Sequence, residues 1–208
     1  MNSQNNLSAI EISKPDSDAT NTVPVVFDSP HNGTSYPTDR NFYAPLTRLR
    51  ATEDTHVEAL YAKASAYGAT LITANFPRSY INANRSSLDI DSDLIDGVWP
   101  GQVSVSEKTI SGIGLIWRLV NNSNPIYTRK LSVAEVQARI DNYYVPYHEA
   151  VKTALDNAHK QWGSVRYINC KLCMNELTRE RADGFAQFDA NIEKLIARVA
   201  SYALEKCQ

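Results

Sequence analysis

Val25-Val26-Phe27-Asp28-Ser29-Pro30-His31-Asn32-Gly33 carries three apolar residues straight into a polar turn. A short apolar run closed by Pro and Asn-Gly reads as a buried strand and its exit. In an open α/β sheet, ligands bind just outside the carboxyl ends of the strands. His31 therefore stands where an imidazole serves catalysis or metal binding, and a turn histidine without a role is the alternative.

Working outward, 23–28 is the first strand and 31–50 is a loop broken by Gly33, Pro37 and Pro45. The spacing of Val57, Leu60, Tyr61 and Ala64 predicts a helix over 52–67, with Gly68 as its stop. Thr52 is a candidate N-cap, which would put Glu53 and Asp54 in the first turn, where the helix dipole favours carboxylates. Residues 70–74 and 79–82 read as further strands. The acidic stretch with Asp89, Asp91, Asp93 and Asp96 lacks the glycine and glutamate of an EF-hand and reads as solvated loop. A short helix is expected over 113–120, carrying Trp117 and Arg118. Ser132-Val133-Ala134-Glu135 is a capping box that opens a helix through Tyr143. Pro146 is expected to break or kink it before a second helix reaches Trp162. Residues 165–170 read as a strand and 189–206 as a closing helix. Residues 1–22 are polar and without periodicity, and read as a flexible leader ahead of a single domain over 23–208. Strands alternating with helices give the α/β class, with a sheet between helices.

Composition narrows the functions. The chain has 208 residues, 43% of them hydrophobic, and a formal charge of −2. That balance argues against a nucleic-acid or anionic-membrane footprint. No apolar run approaches the roughly 20 residues that span a bilayer. There is no basic N-terminal region followed by an apolar core, so no secretory signal is read. Three cysteines make no disulfide framework, and the expected setting is cytoplasmic.

Chemistry has two candidate seats. A catalytic zinc ion needs about three protein ligands and an open position. His31, with Glu53 or Asp54 from the next element, can supply part of such a set at one end of a sheet. Arg78 and Arg85 flank the expected strand over 79–82, with Asn84 beside Arg85, and Arg118 offers a third cation. Arginine grips carboxylates bidentately, so a small acidic substrate suits this group, and solvated surface arginines are the alternative. His56, His148 and His159 lie on expected helices and read as packed or surface residues. Cys170-Lys171-Leu172-Cys173 lacks the second pair that a structural zinc site requires and lies too late for a thioredoxin-like motif.

Several of these pieces, in order, carry a resemblance. Ser29-Pro30-His31-Asn32-Gly33, Glu53-Asp54-Thr55, 77–85 (Pro77 to Arg85) and Gly112-Ile113-Gly114-Leu115-Ile116-Trp117-Arg118 together resemble the N-formylglutamate amidohydrolases, as do Pro125-Ile126-Tyr127 and Val145-Pro146-Tyr147-His148. The likeness runs from about Val23 to Cys170. It implies a three-layer α/β/α sandwich around a central mixed sheet, of the phosphorylase/hydrolase-like kind shared by zinc-carboxypeptidase-like and aspartoacylase-like hydrolases. It implies zinc-dependent hydrolysis of N-formyl-L-glutamate to formate and glutamate, a step in histidine breakdown. It implies His31 and Glu53 as zinc ligands. Asn84 and Arg85 become the substrate-carboxylate pair, with Arg78 and Arg118 as further contacts. The zinc would activate water and polarise the formyl carbonyl, with a carboxylate moving the proton.

The sequence also departs from the pattern. Lys171-Leu172-Cys173-Met174 stands where the family carries His-Ser-Met-Pro, whose histidine is the third ligand. The family's later motifs are not clearly present, so the C-terminal part reads as divergent or truncated, with Cys170 or Cys173 as a replacement ligand in the divergent case. The readings left open are an amidohydrolase for N-formylglutamate, an amidase for another N-acyl amino acid, and a non-catalytic carboxylate-binding relic.

Overall fold

A computed structural model describes residues 8–15, 22–54, 57–121, 123–170, 194 and 196–198. In chain order its elements are β1 (Ile10–Ser13), β2 (Val25–Ser29), α1 (Leu46–Arg50), α2 (Val57–Tyr61), β3 (Thr70–Ala74), β4 (Ile95–Asp96), α3 (Glu107–Ile110), β5 (Leu119–Val120), β6 (Asn124–Pro125), β7 (Leu131–Ser132), α4 (Val133–Arg139), α5 (Val145–Trp162) and β8 (Arg166–Asn169). The fold is mixed α/β, as the alternation predicts. Contacts group the chain into two compact units: 1–10, 33–53 and 74–148 form one, and 11–32, 54–73 and 149–208 form the other.

The second unit is built on a four-stranded sheet in the order β1-β3-β2-β8. β2 runs parallel to both neighbours, with Val26 opposite Thr70 and Tyr167. A strand in that position is covered on both faces, which is why Val25-Val26-Phe27 is continuously apolar rather than alternating. All five β2 residues are buried. Val23, Val25, Phe27, Val57, Ala64, Leu71, Cys170 and Ile196 pack as one core around it, and each large side chain so buried contributes about 1.5–3 kcal/mol.

Two sequence expectations shift here. Residues 10–13, expected in the leader, form strand β1. The helix expected over 52–67 begins at Val57 and tightens into a 3-10 segment over Ala62–Tyr67 before Gly68 ends it at a φ of 81°. The Thr52 hydroxyl donates to the Leu49 carbonyl at 2.6 Å, closing the turn after α1, itself a helix inside the expected loop. Glu53 and Asp54 therefore precede the helix.

The first unit has little sheet and a large aromatic cluster. Phe42, Phe76, Tyr80, Tyr127 and Tyr143 meet edge to face, with centroid distances of 5.1 to 6.4 Å. Residues 79–82 are fully buried but form turns, not the expected strand: Tyr80 N–H returns to the Pro77 carbonyl at 2.9 Å. The helix expected over 113–120 is absent, because Gly112 takes a φ of 77° and Leu119-Val120 pairs antiparallel with Asn124-Pro125. Asp89, expected in solvent, is 2% exposed. It accepts from Ser106 N–H and Oγ at 2.8 Å each, and from the Thr109 hydroxyl, so its job is to anchor α3.

The capping box forms as the sequence predicts. Ser132 Oγ accepts from Glu135 N–H at 3.2 Å while Glu135 Oε2 accepts from Ser132 N–H at 2.8 Å. Arg129 adds a two-pronged contact to the same carboxylate and holds the Glu135 carboxyl down at about 2. Pro146 does not break the helix. A π turn over Ile140–Tyr144 lets Val145 N–H reach the Ile140 carbonyl, and the helix continues to Trp162. A widened turn placed just before the proline accommodates a residue that can offer no N–H.

Candidate functional site

The exit of β2 is unusually polar for a buried position. Asp28, Ser29, His31 and Asn32 are 1%, 1%, 5% and 8% exposed. His31 Nδ1 lies 3.4 Å from Asp54 Oδ2, and Asp54 N–H donates to the His31 carbonyl at 3.2 Å. Asp54 thus meets His31 twice, the imidazole through its side chain and the backbone through its N–H. The sequence offered Glu53 or Asp54 as its companion, and the structure pairs it with Asp54. On the other side of β2, Cys170 N–H donates to the Asp28 carbonyl at 2.7 Å and Asn169 Nδ2 to Asp28 Oδ2 at 3.0 Å. Burial, then the Asp28 charge, pushes the Cys170 thiol well above its usual range, which keeps it a protonated core residue. Cys173, Lys171 and His56 lie outside the described residues.

In the other unit, Glu53 is 3% exposed and accepts from the Tyr36 hydroxyl at 2.7 Å. Burial, reinforced by that bond, raises the Tyr36 phenol, so it acts as a neutral donor. Nothing in the residue pattern marked Tyr36, since a loop tyrosine has no periodicity to read. Asn82 Oδ1 accepts from Asn84 N–H at 3.0 Å, an Asx turn that shapes the Asn84-Arg85 corner. Arg85 donates from Nε to the Ile113 carbonyl at 3.4 Å and from Nη1 to the Asn84 carbonyl at 3.3 Å, while its own carbonyl takes the Tyr144 hydroxyl at 2.8 Å. The corner is fastened again where His148 Nε2 meets the Ala83 carbonyl at 2.9 Å, from an exposed position that fits the surface side of the reading given to that histidine. The Arg78 guanidinium lies 5.2 Å from the Trp117 ring centroid. Arg118 Nε donates to Asp91 Oδ2 at 2.8 Å, so its charge is already shared with a carboxylate.

Gly33 ties this loop to the end of β3. A Cβ there would run into the main chain of Asn75 and Phe76. Gly33→Ala is expected to cost about 2–3 kcal/mol, because backbone cannot step aside as a side-chain tip can. In a chain of this size that is a fall in Tm of about 4–12 °C by calorimetry, and an unchanged melt would refute the close approach.

A family model described as N-formylglutamate amidohydrolase matches residues 23–189. The chain belongs to the N-formylglutamate amidohydrolase family. The match takes in every candidate residue above and runs past Cys170, where the motif likeness stops, into residues outside those described. The crystal structure of N-formylglutamate amidohydrolase from Ralstonia eutropha JMP134 is 29% identical, with a TM-score of 0.87 over 96% of this chain and 100% of that one. A gene product of Agrobacterium tumefaciens, 18% identical with a TM-score of 0.55 over 79% of this chain and 56% of its own, shares the fold. No curated protein matches the sequence. As a member of the N-formylglutamate amidohydrolase family the chain is a hydrolase. No helix among the described residues is long and apolar enough to cross a membrane.

The fit to zinc can be judged from the donors. His31, oriented through Nδ1 by a carboxylate, has the second-sphere arrangement of a metal-binding imidazole. Among the described residues, however, no group of three or more His, Cys, Asp or Glu could hold a metal ion. A catalytic zinc site takes about three protein ligands. The described residues therefore do not complete one.

Proposed function

We propose that this chain hydrolyses the amide bond of an N-acyl amino acid, with N-formyl-L-glutamate the first candidate, giving formate and L-glutamate in histidine breakdown. Family membership supports the reaction class. The observation that carries the reading is the buried His31–Asp54 pair just past the carboxyl end of β2. An imidazole fixed through Nδ1 leaves Nε2 as the free ring nitrogen, aimed by packing at whatever occupies the site. Asn84 and Arg85 are the proposed grip on the substrate carboxylate, with Arg78 beside Trp117 as a second anchor. Arg118 is the weaker contact of the set, because Asp91 already takes its Nε. Zinc, with His31 and Glu53 as its proposed ligands, belongs to the same reading. Those two donors alone fall short of a catalytic set. The three-layer α/β/α sandwich and a cytoplasmic setting complete the proposal.

Formate release from N-formyl-L-glutamate by the purified full chain, with zinc content measured alongside, tests this. Turnover is expected in the wild type and its loss in His31→Ala. About one zinc per chain, lost in the variant, would support the metal part, and none in either protein would overturn it. No release with added zinc would overturn the reaction. Release from a different N-acyl amino acid instead would keep the hydrolase and reassign its substrate, and glutamate binding without turnover would leave a carboxylate-binding relic.

A further inference from the structure

The unit formed by 33–53 and 74–148 with the N-terminal residues holds a pocket of about 620 Å³. That lies within the range of small-molecule sites. None of the proposed ligands or arginines lines it. Its walls include Tyr36, Asp39, Asn75, Phe76, Tyr80 and Tyr143. The walls are braced: Tyr143 stands edge-on to Tyr80 at 5.1 Å and 77°, and Phe76 edge-on to Tyr143 at 5.5 Å and 76°. Asn75 is fixed through Nδ2, which donates to the Ser8 carbonyl at 3.0 Å.

The charge of the pocket has one sign. Asp39 is the one acidic side chain among its described lining residues, and no lysine or arginine joins it. The Tyr80 hydroxyl lies 3.0 Å from both Asp39 oxygens and holds the carboxylate at the wall. Burial raises the phenols of Tyr80 and Tyr143, so they stay neutral. Behind the wall, Arg139 lies 4.1 Å from the Tyr80 ring centroid and is 2% exposed. Arg139 therefore braces Tyr80 without lining the pocket. Among the described lining residues an acidic ligand would meet a carboxylate and neutral dipoles, whereas an ammonium group would meet a carboxylate and electron-rich rings.

We propose that this pocket binds a small organic cation, a primary amine carried on an aromatic or hydroxylated body, as a site separate from the one that takes the acidic substrate. The ammonium pairs with Asp39, and the body lies against Phe76 and Tyr143 within reach of the Asn75 and Asn142 amides.

Tyramine is a suitable probe, with 4-hydroxyphenylacetate as the matching anion, titrated calorimetrically into the full chain. Tyramine is expected to bind with a Kd of about 1 mM or tighter, and the anion not to bind by about 10 mM. Asp39→Asn keeps an acceptor for Tyr80 but removes the charge, and is expected to weaken tyramine about tenfold or more. Ala138→Phe, at an exposed helical position on the rim, is expected to abolish binding with the melt unchanged. Absence of tyramine binding, equal binding of the anion, or full affinity in Asp39→Asn would overturn the proposal. The readout is binding alone, so it stands or falls apart from the hydrolytic reading.

Discussion

Arg139→Met is expected to lower the stability of the fold by about 3 kcal/mol. Arg139 is 2% exposed, with its guanidinium 4.1 Å from the Tyr80 ring centroid and 5.5 Å from that of Tyr127. Nη1 donates to the Tyr80 carbonyl at 3.1 Å and to the Tyr127 hydroxyl at 2.7 Å. Methionine keeps the stem and removes the head. Two buried acceptors then lose their donor, at about 1–3 kcal/mol each, and a desolvated cation–π contact of about 2 kcal/mol disappears. The relief of no longer burying a charge offsets part of this, which brings the net to the lower figure. The urea midpoint should fall with an unchanged slope, and a loss under about 0.5 kcal/mol would refute the account. Arg139→Lys separates charge from shape. An ammonium can also donate to two acceptors, but it is not planar and cannot lie flat on a ring, so lysine should restore only a part of the loss.

Asp54→Asn is expected to reduce kcat/KM for N-formyl-L-glutamate about 10–100-fold while leaving the fold intact. The substitution preserves the outline of the side chain that lies 3.4 Å from His31 Nδ1, and the main-chain bond from residue 54 to the His31 carbonyl is untouched. What is lost is the carboxylate charge that fixes which ring nitrogen carries the proton. Steady-state kinetics beside a thermal melt reads the two effects apart. Asp156, exposed and paired with Lys152 on α5, gives a control in Asp156→Asn that should change neither. Full activity in Asp54→Asn with none in His31→Ala would demote Asp54 to packing. Full activity in both would remove His31 from the chemistry.

The parts of the molecule legible in the sequence are those with a local cause. β2 and β3 announced themselves through apolar runs between turn residues, and β8 through its run into Cys170. The capping box at Ser132 needed only a spacing of three. Gly68 closed its helix as a left-handed stop should. The failures share a different cause. Residues 79–82 have a strand's composition, but Tyr80 turns back on Pro77 while Asn82 N–H is taken by the Leu115 carbonyl, far away in sequence. Asp89 looked like one of several solvated acids until three donors from 106 and 109 closed on it. Arg139 sits between the apolar Val136 and Ile140, both buried, and a charge there could have been taken as a flag. At the site, His31 was legible from the strand exit and Asp54 from its place in the chain. Tyr36 was not, because its partner Glu53 is reached through space.

The π turn over Ile140–Tyr144 sets a rule about length rather than chemistry. Each residue of a helix turns the next by roughly 100°. A π turn spreads the rotation of an ordinary turn over one residue more, so deleting one residue there would relax it to α geometry and leave everything beyond it facing as before. Tyr147 would keep Phe76 and His148 the Ala83 carbonyl, whereas the same deletion in an ordinary turn of α4 would swing both away by roughly 100°. In a lineage of such chains a gap of one residue should therefore be tolerated in this stretch and nowhere else along the helix, the spare residue being a slack that inheritance can take up.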